Sequence, residues 1–267
     1  MSHGSDHHAM DLDLTGQTAL VTGGGRGNGR AISLELAEHG ADVIVNDLDE
    51  AVAQETAAAV RETGSDAVGL PADVTDKDEV EAMVEHGVEE LGSVDILVNN
   101  AGVGDAGPFL DDDYDEDFRL NVEVHIFGSI NCTRAVVDGM VEDGYGKIVN
   151  ITSIHTKNAV GMSPQYDVGK FGLLGLTKSL ALELGREGIR VNAVAPGWVN
   201  TRMTEGFTDD VTEQITDLNP LGHFAEPEDI ANGVTFLASP AADYINGHEL
   251  RVDGGQVPID SWRLDSR

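Results

Sequence analysis

The chain is poor in cysteine, in basic residues and in aromatic residues. Cys132 is its only cysteine among 267 residues, so no intrachain disulfide can form, and the thiol reads as a small buried apolar group. No apolar run approaches the ~20 residues of a membrane span. The first ten residues hold neither a basic nor an apolar stretch, so no secretion signal is expected and a cytoplasmic location is the default. Lysine and arginine number 16 against 48 acidic residues, a formal net charge of −32. That charge makes nucleic acid and anionic membrane poor partners. The acids are spread along the whole chain and form no single tail. This suits adaptation to high salt, where a Debye length of about 3 Å at 1 M screens self-repulsion.

What is present is 40% hydrophobic content and 32 glycines, ample for a real core. Residues 1–13 read as a disordered polar arm. Its His3, His7 and His8 lack a ligand spacing, and no metal site is expected. Residues 17–22 read as a strand. It runs into Gly23-Gly24-Gly25-Arg26-Gly27-Asn28-Gly29 and then a helix ending at Gly40. Strand, glycine turn and helix in that order suit a dinucleotide. The glycines let the pyrophosphate approach a helix N-terminus whose free N–H groups favour an anion. A second strand ends at Asp47, eighteen residues beyond Gly29. A carboxylate there can accept from an adenosine ribose diol and repels a 2′-phosphate, which argues for NAD over NADP. Arg26 argues weakly the other way, as a guanidinium able to meet a phosphate.

Strand and helix continue to alternate: helix 49–63, strand 67–70, helix 76–91, strand 94–98, a long helix from the acids at 111–113 to about 141, and strand 146–151. A helix carrying Tyr166, strand 189–194, a polar loop over 202–225, helix 227–238 and strand 249–252 follow. The pattern predicts an α/β fold, one Rossmann-type domain over 14–257 with a doubly wound parallel sheet of about seven strands flanked by helices and a tail over 258–267. Asp73 falls past a strand end, where it serves a ligand or a turn. Asn99-Asn100-Ala101-Gly102 caps another strand.

Tyr166 and Lys170 are one helical turn apart and leave the same face. A nearby ammonium favours the phenolate and is expected to lower the tyrosine pKa toward the working range. Ser153, on the far side of a loop, can hydrogen-bond the same reacting oxygen.

Taken together, Thr22-Gly23, Gly27 and Gly29, Asp73-Val74, Asn99 to Gly102, Ser153, Tyr166 with Lys170, Pro196-Gly197 with Thr201, and Val252-Asp253-Gly254-Gly255 resemble the short-chain dehydrogenase/reductase family. The resemblance implies an oxidoreductase moving a hydride between nicotinamide and a CH–OH or carbonyl carbon. It implies cofactor contacts from the glycine turn (Gly23, Arg26, Gly27, Asn28, Gly29), Asp47, Asp73, Val74, Asn100, Ala101, Gly102, Tyr166, Lys170, Pro196, Gly197, Val199 and Thr201. Tyr166 would be the base, Lys170 would hold the ribose and Ser153 the substrate oxygen. A homotetramer is implied as well. Where the family usually places an asparagine on the long helix, this chain has His125, which would pass the proton in altered form or act as a buried spacer.

The stretch Ser153-Ile154-His155-Thr156-Lys157 is similar to that of the family's glucose 1-dehydrogenases. On that likeness His155 and Lys157 would offer donors to sugar hydroxyls, and Trp198 would wall a pyranose. An aldose 1-dehydrogenase is therefore expected. The alternatives are a 3-oxoacyl-[acyl-carrier-protein] reductase, which predicts NADPH and a basic patch, and, in another class, a nucleotide-binding regulator without turnover.

Overall fold

The computed structural model describes residues 10–104, 109–110, 114–157, 159 and 163–257. Short segments rich in Val and Ile become seven strands: β1 (Thr18–Val21), β2 (Asp42–Asp47), β3 (Ala67–Pro71), β4 (Ile96–Asn99), β5 (Gly146–Ile151), β6 (Ile189–Pro196) and β7 (Glu249–Val252). Val43, Ile44 and Val45 of β2 have no exposed surface, nor have Val191, Ala193 and Val194 of β6. Burial on both faces is what a parallel sheet covered on both sides requires. All neighbours pair in parallel, in the order β3-β2-β1-β4-β5-β6-β7.

The helices are α1 (Gly27–Glu38), α2 (Glu50–Thr63), α3 (Lys77–Leu91), α4 (Tyr114–Val122), α5 (Ser129–Asp143), α6 (Pro164–Leu184), α7 (Asp209–Leu218) and α8 (Pro227–Ala238). One core joins the sheet to Leu36 of α1, Val60 of α2 and Val234 of α8. The other joins it to Val84 of α3, Val136 of α5 and Ala181 of α6. Strand order reverses between β1 and β4, so the crevice at their C-terminal ends is the topological switch point where a ligand binds in such sheets.

Two segments differ from the sequence expectation. The long helix is interrupted by a π-helical turn, Glu123–Gly128. The loop expected over 202–225 contains α7, whose Val211, Ile215 and Leu218 recur at helical spacing behind Asp209 and Asp210. The helix start expected at Asp111-Asp112-Asp113, the three N-terminal histidines and the tail over 258–267 lie outside the described residues.

Candidate active site

At the switch point the sequence dictates close backbone contact. A Cβ on Gly29 would lie 2.0 Å from the Gly23 carbonyl oxygen and 2.6 Å from Asn100 Nδ2. Asn100 Nδ2 donates to the carbonyls of Thr22 (2.9 Å) and Gly23 (3.1 Å), while the Thr22 hydroxyl accepts from the amides of Asn100 and Ala101, both at 3.0 Å. The ends of β1 and β4 are thus tied into one platform. Helix α1 starts there with no side chain capping it and no acid in its first turn. Its free N–H groups and dipole suit a pyrophosphate. Asn28 in the same turn carries a buried carboxamide oxygen without a hydrogen-bond partner. These residues fit a dinucleotide.

The remaining cofactor candidates gather around this platform, though not all in the roles expected. Asp47 ends β2, and a Cβ on Gly25 would lie 2.7 Å from its Oδ2. Arg26 is turned to Asp49 at 3.1 Å, both exposed, so its guanidinium is engaged away from the glycine turn. The Asp73 carboxylate accepts from the amide and hydroxyl of Thr75 (2.9 and 2.8 Å), which makes it a turn former. Val74 is buried against Gly128, and its carbonyl accepts from Asn131 Nδ2 at 3.0 Å. From the other side, Pro196 ends β6, the Gly197 amide bonds the Val252 carbonyl, and buried Val199 leads to Thr201. Thr201 Cγ2 would lie 3.4 Å from a Cβ on Gly27. The Val252–Gly255 motif is structural: Asp253 accepts from the amides of Gly255 and Val257 and closes the end of β7.

Beside this platform, β5 delivers Ser153, and α6 presents Tyr166 and Lys170. The Ser153 hydroxyl stands within hydrogen-bonding reach of the Tyr166 phenol. Lys170 Nζ donates to the Ile151 carbonyl at 2.9 Å and lies 5.4 Å from the Tyr166 ring centroid. The expected lowering of the phenol is not found. Burial raises the Tyr166 pKa, the Ser153 hydrogen bond opposes this, and the Asp167 charge adds to it. Lys170 is itself pulled down to about 7 by burial. An ammonium without a counter-charge is disfavoured in this interior, so it cannot supply the full positive field that the sequence argument assumed.

The π-helical turn brings His125 into the same cluster. Its ring is 5.5 Å from that of Tyr166, edge-on, and both its nitrogens are buried without a hydrogen-bond partner. A Cβ on Gly102 would lie 2.9 Å from His125 Nε2 and 3.6 Å from Lys170 Nζ. Burial first, and the Lys170 charge second, hold this imidazole well below its usual range, so it stays neutral.

His155 stands on the opposite edge of Tyr166, with ring centroids 5.1 Å apart, and Trp198 lies 6.4 Å beyond it. Phe207, from the segment before α7, packs on Trp198 at 5.3 Å. Met203 lies over Gly104, where a Cβ would meet its Cε at 2.5 Å. Met203 and Phe207 thus hold this segment against Gly104 and Trp198. Lys157 is turned to Glu249 at 3.6 Å, which removes it from the substrate donors expected of it. Asp167 and Glu249, both against the His155 turn, were not expected from the sequence.

A hydroxyl–phenol pair at the switch point of a parallel sheet, next to a glycine turn, is the equipment of alcohol–carbonyl redox chemistry. The profile of the family described as Enoyl-(Acyl carrier protein) reductase matches residues 23–256. The chain belongs to the short-chain dehydrogenase/reductase family. It is an oxidoreductase acting on a CH–OH or carbonyl group. A 3-oxoacyl-[acyl-carrier-protein] reductase of Staphylococcus aureus is 40% identical over 249 residues, 90% of this chain and 97% of that protein. A (2S)-[(R)-hydroxy(phenyl)methyl]succinyl-CoA dehydrogenase subunit of Thauera aromatica is 37% identical over 92% of this chain and 98% of its own length. Among solved structures, a gluconate 5-dehydrogenase from Burkholderia cenocepacia, in complex with NADP and tartrate, superposes with a TM-score of 0.88 at 33% identity, covering 93% of this chain and 98% of that one. A 7α-hydroxysteroid dehydrogenase with NADH gives 0.88 at 34% identity, over 92% and 96% of the two chains. Solved structures similar to the present chain thus hold either nicotinamide cofactor.

Proposed function

We propose that this short-chain enzyme is an NAD-linked dehydrogenase that oxidises the hemiacetal CH–OH of an aldose to the lactone. The observation that carries the reading is the convergence of Ser153, Tyr166 and Lys170 beside the crevice, flanked by His155 and Trp198 on the substrate side. Bound nicotinamide supplies the hydride acceptor. Tyr166, as phenolate, takes the proton of the substrate hydroxyl, and Ser153 donates to the same oxygen and holds it in place. Lys170 holds ribose hydroxyls, and the glycine turn with Asn28, Ala101, Gly102, Val199 and Thr201 lines the rest of the dinucleotide. The Asp47 carboxylate beside Gly25 favours a free ribose diol, and the engagement of Arg26 by Asp49 removes the phosphate-binding argument.

The second reading is a 3-oxoacyl-[acyl-carrier-protein] reductase, favoured by the 40% identity to the staphylococcal protein. An acidic carrier would meet a chain of net charge −32, which repels it. A panel of aldoses, polyols and secondary alcohols with NAD and NADP, and of 3-oxoacyl thioesters with NADH and NADPH, all at molar KCl, separates the two. Aldose-dependent reduction of NAD is expected. Turnover confined to 3-oxoacyl thioesters and NADPH would hand the site to the second reading.

His125 belongs to the proton path in this proposal. A neutral buried imidazole beside Lys170 can hold a water and hand a proton outward. His125→Leu should lower kcat by about 10²-fold, and His125→Asn, which restores a hydrogen-bonding group, should recover most of that loss. Equal loss in both variants would show that the imidazole itself is required. No loss in the leucine variant would make the residue a spacer.

A further inference from the structure

Two carboxylates outside the proton-transfer set converge on the short turn, Ile154–Thr156, that carries His155. Asp167, the residue after Tyr166 on α6, places Oδ1 2.5 Å from His155 Nδ1. The two side chains are only 14% and 9% exposed, respectively, so solvent does little to loosen the contact. From the far edge of the sheet, Glu249 of β7 accepts from the hydroxyls of Thr152 (2.8 Å) and Thr156 (2.7 Å). The turn is therefore fixed on both sides of His155, and the imidazole is held by its own carboxylate. The ring stands between Tyr166 and Trp198, and Trp198 is backed by Phe207 and Phe224.

A carboxylate at Nδ1 takes the Nδ1–H of a neutral imidazole and so fixes the tautomer, leaving the lone pair on Nε2. An acceptor held in this way beside the reacting phenol can read one particular group on a substrate, a hydroxyl close to the carbon being oxidised. We propose that His155, oriented by Asp167, accepts a hydrogen bond from a hydroxyl on the carbon adjacent to the reacting CH–OH. The enzyme then selects vicinal diols over simple secondary alcohols. This rests on the dehydrogenase reading above and names what that site recognises. A neutral hydroxyl is favoured over a carboxylate by charge: Asp167 stands against the ring, and the whole chain repels anions. Trp198 supplies the apolar wall for the C–H face of the same substrate.

The test uses the full chain at saturating NAD, with the vicinal cyclohexanediol, cyclohexanol and 2-hydroxycyclohexanecarboxylate as probes. The wild type should show the higher kcat/KM for the diol. His155→Leu should cut the diol-to-monoalcohol ratio by about 10–100-fold, the worth of one hydrogen bond to a fixed polar group, mainly through KM. Asp167→Asn should cut it less. His155→Gln, which restores an acceptor oxygen, should recover part of it. Thermal melts establish that each variant is folded, and His155→Gln serves as the reading if His155→Leu is not. A diol preference that survives the loss of the imidazole overturns this assignment while leaving the dehydrogenase reading intact. So does an equal fall for the diol and cyclohexanol, which would place the action of His155 on Tyr166, or a wild type that prefers the hydroxy acid to the diol. A wild type that reduces no NAD with any alcohol sinks the reading beneath it, and this contact with it.

Discussion

Tyr166→Phe is expected to lower kcat for alcohol oxidation by about 10²–10⁴-fold while cofactor affinity, followed by the quenching of tryptophan fluorescence, changes little. Phenylalanine keeps the ring that stands edge-on between His125 (5.5 Å) and His155 (5.1 Å). Only the phenolic hydroxyl and its polar contacts are lost, a stability cost of about 1 kcal/mol. A large kinetic effect with a small structural one is the signature of a group that moves a proton. The pH dependence has a defined sign. Burial raises the phenol, so the phenolate fraction grows as pH climbs toward and beyond the ordinary tyrosine range. Oxidation by the wild type should therefore accelerate with rising pH, and the residual rate of the variant should lose that limb. Full turnover by Tyr166→Phe would remove the phenol from the chemistry altogether.

The glycine turn, the Asn99–Gly102 strand end and the serine, tyrosine and lysine were legible in the sequence because each depends on local chain geometry. Strand, tight turn and helix follow from neighbours in the chain, and Tyr166 and Lys170 share a face by helical spacing alone. The electrostatics were less legible. Spacing says that an ammonium is near a phenol, but the depth at which both lie decides the sign, and burial wins at Tyr166 and at Lys170. The π-helical turn at Glu123–Gly128 has no sequence signature, although it aims His125 at Tyr166. Asp167 and Glu249 reach the His155 turn only after α6 and β7 have docked, since Glu249 is 93 residues from Thr156 along the chain. Helix α7 was a different kind of miss. Its apolar spacing and acidic first turn are present in the sequence, but its short length, with Val211 and Leu218 left exposed, gives a weak stripe.

Gly29→Ala should be among the most damaging single methyl groups in the molecule. The backbone at Gly29 is helical and permits alanine, so the obstacle is space alone. The new Cβ would lie 2.0 Å from the Gly23 carbonyl oxygen and 2.6 Å from Asn100 Nδ2. Neither is the loose end of a flexible side chain, because Asn100 is bonded to the carbonyls of Thr22 and Gly23. Relief requires the start of α1 to move away from the end of β1, which opens the turn that would receive the pyrophosphate. The cost is about 3 kcal/mol, the upper range for overpacking. At about 2–4 °C per kcal/mol for a domain of this size, the melting temperature should fall by roughly 6–12 °C, and NAD affinity should fall with it. Gly139→Ala is the matched control. Gly139 lies within α5, exposed, with nothing within 4 Å of its would-be Cβ, so alanine there should gain up to about 1 kcal/mol from helix propensity. Thermal melts and fluorescence titration of both variants at molar KCl check the pair. If Gly29→Ala melts with the wild type and binds NAD as tightly, the close approach of α1 to β1 is not what forms the dinucleotide site.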